Sequence, residues 1–146
     1  ISEGDMINLS APVGGFSIEN TERPQLFIGS GVGMTPLVSM FKKAASLNVP
    51  TQMIQAVVTE DERPFAQKLD SITANHEQAQ LHLHVKDKEG YLEAKELEQY
   101  LSEQPEIYIC GGTKFLHSII NSLKELNYDM NHVHFETFIP RLSVQV

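Results

Sequence analysis

The chain has 146 residues, 11 basic and 19 acidic, a formal net charge of −8 and one cysteine. That length suffices for one domain with its own core, and the surplus of acid speaks against a nucleic-acid-binding surface. One cysteine excludes an internal disulfide, which fits a reducing, cytoplasmic setting, and no apolar run nears the roughly 20 residues that span a bilayer.

The first residues, Ile1-Ser2-Glu3, show neither an initiator Met nor a signal-peptide pattern, so a fragment or processed product is expected. Residues 1–18 read as the last hairpin of a preceding β domain. Met6, Ile7 and Leu9 make a strand, Ala11-Pro12-Val13-Gly14-Gly15 a turn, and Phe16 and Ile18 the return. The polar stretch from Glu19 to Pro24 marks a junction, dividing the chain into 1–22 and 23–146.

Strands and helices then alternate. Strands are expected at Leu26–Ser30, Gln52–Val58, Leu81–Val85, Ile107–Cys110 and Val133–Phe138. Helices are expected at Thr35–Leu47, Pro64–Ala74, Glu93–Leu101 and Thr113–Leu126, where apolar residues recur on one face. Leu37, Val38, Phe41, Ala44 and Ala45 make that face in the first helix. The alternation predicts a doubly wound α/β domain on a five-stranded parallel sheet, because parallel neighbours need long right-handed crossovers. Ligands of such sheets bind beyond the carboxyl ends of the strands, where strand order switches.

One segment suits that purpose. Ser30-Gly31-Val32-Gly33-Met34-Thr35-Pro36 joins the first strand to the first helix as G-x-G-x-x-P. Glycines let backbone approach an anion, and the first helical N–H groups and the helix dipole then face it. The N–H groups of residues 31–35 and the Thr35 hydroxyl are the candidate phosphate ligands; a plain strand-to-helix turn is the alternative. Thr35 can cap the helix, with Pro36 at the first helical position, where a missing N–H does no harm.

Val58 ends the second strand and is followed by Thr59-Glu60-Asp61-Glu62-Arg63. A 2′-phosphate on the adenosine ribose would meet three acids and one base there, which favours NADH over NADPH. A solvated acidic loop accounts for the same residues. Tyr108-Ile109-Cys110-Gly111-Gly112-Thr113 repeats the strand–glycine–helix layout, with Thr113 able to cap the helix. Cys110 is either a small core residue or part of the crevice between the two turns; nothing nearby would activate it as a nucleophile. His82 with His84, and His132 with His134, alternate along strands and read as solvent-facing pairs, too few to hold zinc. At the end of the last strand, Phe138 can place a ring beside a planar cofactor or pack in the core.

The G-x-G-x-x-T-P, Cys-Gly-Gly and terminal Phe135-Glu136-Thr137-Phe138 motifs together resemble the nicotinamide-binding domain of the ferredoxin–NADP reductase superfamily. The entry segment from Gly4-Asp5 to Ser10-Ala11-Pro12, Gly14 and Phe16 resembles the end of that family's flavin-binding β-barrel. Within the superfamily the chain is most similar to the C-terminal part of bacterial flavohaemoglobins. That similarity rests on Gly31-Val32-Gly33-Met34-Thr35-Pro36-Leu37, Arg63-Pro64-Phe65, Gly90-Tyr91-Leu92 and His134-Phe135-Glu136-Thr137-Phe138.

The resemblance implies a relay in which NADH gives hydride to FAD, electrons pass to haem, and nitric oxide becomes nitrate. By matching positions, Ser30, Gly31, Val32, Gly33, Met34, Thr35 and Pro36 would hold the NADH diphosphate. Cys110, Gly111 and Gly112 would flank the nicotinamide, and Thr137, Phe138, Ile139 and Pro140 would lie against the flavin. Glu136 and Cys110 are the catalytic candidates, Glu136 through its charge. Partners would be the FAD domain and the globin domain of the same full-length chain, with no metal in this part, no nucleic acid and no membrane. Two departures stand out: Gly112 replaces the family's proline, which would loosen the turn, and Ile139 replaces a glycine beside the flavin. The family's Arg-x-Tyr-Ser flavin segment is absent, so the fragment alone is expected to bind nucleotide weakly and turn over little. The alternatives are the same domain of another flavin reductase, serving an oxygenase, or a non-catalytic nucleotide-binding domain.

Overall fold

A computed structural model describes residues 22–30, 35–59, 61 and 63–137. Its elements are β1 (Gln25–Ser30), α1 (Thr35–Ser46), β2 (Thr51–Val57), α2 (Ala66–Asn75), β3 (Ala79–Val85), the single turn α3 (Lys86–Glu89), α4 (Ala94–Glu98), β4 (Glu106–Gly111), α5 (Thr113–Glu125), a 3₁₀ turn over Met130–His132, and β5 (Val133–Thr137). The expected hairpin over 1–18 lies outside the described residues.

The strands form one sheet in the order β3-β2-β1-β4-β5. Every neighbouring pair is parallel, so the doubly wound five-stranded sheet is borne out. The chain steps outward from β1 to β3, then returns past β1 to lay down β4 and β5. Strand order therefore switches between β1 and β4.

Both faces are covered, which is why the central strands β1 and β4 are buried along nearly their whole length rather than alternately. On one face Phe27, Met53 and Tyr108 pack against Leu37, Phe41 and Leu69 of α1 and α2. On the other, Leu26, Ile28, Ile54 and Ile109 pack against Leu97, Leu116, Ile119 and Leu123 of α4 and α5. Each fully buried Leu, Ile or Phe contributes about 1.5–3 kcal/mol. Aromatic stacking adds order: the Tyr108 ring lies 5.1 Å from Phe27 and 4.9 Å from His134.

Helices α1 and α5 stop by the same device. Asn48 and Asn127 take left-handed backbone with φ of 62° and 59°. The N–H groups of Asn48 and Val49 then donate to Ala45 and Ala44, and those of Asn127 and Tyr128 to Lys124 and Leu123. These reversed bonds satisfy carbonyls that the helix end would orphan, and Asn tolerates the conformation better than most residues. Helix α2 starts at Ala66, not Pro64, because Phe65 itself is left-handed with φ 62° and ψ 22°. Helix α4 is shorter than expected but carries a reciprocal cap between Glu93 and Glu96.

At the amino ends of β4 and β5, Glu106 is almost wholly buried at 3% exposure. Its carboxylate meets His132 Nδ1 at 3.0 Å, His134 Nε2 at 2.6 Å and Arg23 Nε at 3.5 Å. The reading of the histidines as solvent-facing is therefore corrected. His132 lies on the 3₁₀ turn rather than a strand, and both it and His134 serve a buried acid. His82 is half-buried, bonded to Gln52 at 2.8 Å and tilted against Tyr100; burial lowers its pKa. His84 is buried at 7% exposure. An imidazole can go inside when local oxygens satisfy its nitrogens.

Candidate functional site

At the carboxyl rim of the sheet, the end of β1 and the Cys110-Gly111 end of β4 lie on adjacent strands. Gly29 of β1 pairs with Cys110 of β4, and Cys110 and Gly111 pair with Glu136 and Thr137 of β5. The rim thus brings Ser30, Cys110, Gly111, Glu136 and Thr137 into one neighbourhood, at the switch in strand order. Thr35 and Pro36 are the first two residues of α1, so Thr35 stands inside the helix rather than at its cap and Pro36 is second rather than first. Gly31, Val32, Gly33, Met34, Phe138, Ile139 and Pro140 lie outside the described residues.

Gly111 is required by close approach. A Cβ there would sit 2.7 Å from Phe115 Cδ2 and 2.8 Å from Ser30 Oγ. Gly112 is different: a Cβ would meet nothing within 4 Å, and its φ of −71° is one that proline adopts. The backbone of this turn thus keeps the shape a proline would impose. Thr113 does not cap α5; Gly112 occupies the cap position and no side chain bonds the free N–H groups there. The hydroxyl is one residue too far along the chain, inside the first turn rather than ahead of it.

Cys110 is 2% exposed and belongs to the core on the α1 face. Burial, then the charge of Glu136, pushes its thiol up to about 12, against a lowering hydrogen bond from Gly111. It is a neutral thiol at any physiological pH. The Glu136 carboxyl is also raised, by burial.

On the other face of the sheet a cleft of about 1080 Å³ opens at the carboxyl ends of β1, β2 and β3. Ala56, Val57 and Val58 line it from β2, and Phe115, Ser118 and Ile119 from α5. Ser30 reaches it from the rim. Arg63, Lys86 and Lys114 bring positive charge from three separate elements, with Asp61 opposite in sign. Arg63 is already engaged, bonding Asp70 at 3.0 Å and Gln55 at 3.4 Å. His84, Gly90 and Tyr91 complete one wall. Tyr91 is two-thirds exposed, and Lys86 Nζ lies 4.5 Å over its ring.

Neither Cys110 nor Glu136 lines this cleft; they lie past the rim, toward the α1 face. The arrangement suits an elongated, doubly anionic ligand laid over the switch point, one end in the cleft and the other beside β4 and β5. Sequence reasoning missed Lys86, Lys114, His84 and Tyr91. The signal was available for Lys86 and Lys114, each one or two residues past the carboxyl end of a strand or the start of the helix that follows it. Among the described residues no helix is long and apolar enough to cross a membrane.

Residues 27–120 match the family described as the oxidoreductase NAD-binding domain. A flavohemoprotein of Bacillus cereus is 28% identical over 161 residues, covering 99% of this chain and 40% of the relative. One from Halalkalibacterium halodurans is 30% identical over 156 residues, covering 96% of this chain and 38% of the relative. The flavohem-like FAD/NAD-binding domain of nitric oxide dioxygenase from Vibrio cholerae shares the fold, with a TM-score of 0.73 at 24% identity, over 86% of this chain and 54% of that one. The expected likeness to flavohaemoglobins is borne out, and the chain spans well under half the length of the flavohemoproteins it matches.

Proposed function

Because the chain belongs to the oxidoreductase NAD-binding domain family, we propose that it is the NADH-binding reductase part of a longer flavohaemoglobin-type protein. The observation that carries this reading is the basic cleft at the carboxyl ends of β1, β2 and β3, beside the switch in strand order between β1 and β4. The diphosphate would lie at the rim against Ser30, the backbone of residues 31–34, Thr35 and Pro36. The adenosine half would occupy the cleft, and the nicotinamide the neighbourhood of Cys110, Gly111 and Gly112.

The residues fit a dinucleotide on two counts. Lys86 and Lys114 supply positive charge to the cleft that suits an anionic nucleotide. The β2 end offers an apolar wall for a ribose and base. A third phosphate would need Arg63, which Asp70 already holds, and this supports NADH over NADPH.

Bound here, NADH supplies the hydride of a flavin-dependent reductase. The chain's own part is to fix the ring's position and set the local charge, and alignment of reacting groups is where the rate gain lies. Cys110 packs as a neutral thiol, so it shapes the nicotinamide site without adding charge. Glu136, paired with Cys110 across β4 and β5, is the rim's acidic group. Thr137, Phe138, Ile139 and Pro140 would meet the flavin. FAD and haem would be held by flanking domains of the full-length cytoplasmic protein, whose overall reaction would be the oxidation of nitric oxide to nitrate.

Isothermal titration of the full-length protein with NADH and NADPH tests the reading. Tight NADH binding, abolished by Gly33→Trp and weaker for NADPH, is expected; equal affinity of wild type and variant would refute it.

A further inference from the structure

One wall of the cleft is built by a turn rather than by the sheet. The turn runs from the end of β3 through α3 to Tyr91, and it presents Lys86 and Tyr91 to the cleft. Its two ends are held differently. The start is tied by backbone, the Asp87 N–H donating to the Val58 carbonyl at 3.0 Å. The Glu89 carboxylate also accepts the Val85 N–H at 3.0 Å.

The far end is held by the Gly90 N–H, which donates to the Lys86 carbonyl at 2.8 Å, and by one imidazole, which takes the Gly90 carbonyl. His84 Nε2 lies 2.9 Å from the Gly90 carbonyl oxygen. A carbonyl only accepts, so Nε2 carries the proton and donates. The other ring nitrogen, Nδ1, lies 3.8 Å from Glu89 Oε1. Gly90 itself sits at φ 78°, ψ −165°, a region open essentially to glycine alone. The chain therefore reverses sharply at Gly90, and a buried side chain from the strand pins the carbonyl at that reversal. Core histidines that merely fill space do not require this pairing of a glycine-only backbone with a directed bond.

We propose that His84 is a positioning residue for nucleotide binding: through the Gly90 carbonyl it fixes the turn that walls the adenosine end of the cleft. The inference rests on the reading of the cleft as the nucleotide site. His84 itself need not touch the ligand. It governs affinity for the adenosine half and leaves the nicotinamide half, across the rim at Cys110, unaffected.

The test is titration of the full-length protein with NADH and with reduced nicotinamide mononucleotide, which lacks the adenylate. His84→Ala should weaken NADH about tenfold, the equivalent of one well-placed hydrogen bond, and leave the mononucleotide unchanged. His84→Gln, whose amide nitrogen reaches about as far as Nε2, should restore most of the NADH affinity. Gly90→Ala, which disturbs the same reversal from the other partner, should reproduce the His84→Ala pattern. NADH affinity untouched in His84→Ala overturns the proposal, and so does an equal loss for both ligands, which would mark general damage to the fold. Ser118→Trp, which fills the cleft from α5, separates the two readings. If it leaves NADH binding intact, the ligand does not occupy this cleft, and the nucleotide reading falls together with the proposal. If it blocks binding while His84→Ala does not, only the role of His84 falls.

Discussion

Adjacent glycines in this chain should respond in opposite ways to the same added methyl group. Gly111→Ala places a Cβ 2.7 Å from the Phe115 ring and 2.8 Å from the Ser30 hydroxyl. The hydroxyl can rotate away. The ring is half-buried on α5 against the core and can yield only by moving the first turn of the helix. Overpacking of that kind costs about 1–3 kcal/mol, or a fall in Tm of roughly 3–10 °C for a domain of this size. Gly112→Ala meets nothing within 4 Å and lies at φ −71°, so it should be neutral or slightly stabilising. Gly112→Pro should stabilise by about 0.5–1 kcal/mol, by restricting the unfolded chain where the native backbone already suits proline. Thermal and urea unfolding of the three variants decide the matter, and Gly111→Ala combined with Phe115→Ala should regain part of the loss assigned to the clash. A stable Gly111→Ala beside a damaged Gly112→Ala would refute the packing argument outright.

Other consequences are open to simple measurement. Cys110, a buried thiol pushed up to about 12, should resist iodoacetamide at pH 8 in the native protein and label fully in denaturant, as read by mass spectrometry. Glu106→Ala leaves His132, His134 and Arg23 without their acid and should cost on the order of 3 kcal/mol, with Glu106→Gln costing less, in equilibrium unfolding. Burial raises the folded-state pKa of Glu136 above its ordinary 4.5. Its neutral form is thus the one the fold prefers, a preference fully present below pH 4.5 and lost as pH rises through the raised value. Glu136→Gln should therefore be more stable than wild type at pH 7, with the gap closing on acidification; a gap that widens toward acid would contradict this. His82 works in the opposite sense. Its lowered pKa means that His82 weakens the fold as pH falls below 6.5, an effect that His82→Gln should remove from the Tm profile.

The sheet was legible because its signals are local. Apolar runs such as Leu26-Phe27-Ile28 and Ile107-Tyr108-Ile109, separated by helices with one apolar face, admit few arrangements other than a covered parallel sheet. The second glycine turn could be placed on the rim for the same reason, since strand direction alone puts residue 111 at a carboxyl end. The cleft's charge was not legible. Lys86 and Lys114 stand 28 positions apart in the chain, and only the sheet order brings their elements to one opening. Histidines were misread because alternation on an edge strand says nothing about a partner such as Glu106, which reaches them from the neighbouring strand. The boundary of α2 was missed for a backbone reason, the left-handed Phe65, that composition does not announce.

The clasp on Glu106 has a wider implication. It grips the last strand at its base, the end remote from the rim, where folding strength and redox chemistry need not compete for the same atoms. On the proposed reading, substitutions near the tip of that strand would retune a bound ring with little risk to the scaffold, whereas changes at the base would loosen the scaffold and leave the ring's surroundings as they were. A lineage could adapt such a domain to new electron acceptors by editing one end of two strands and leaving the other alone.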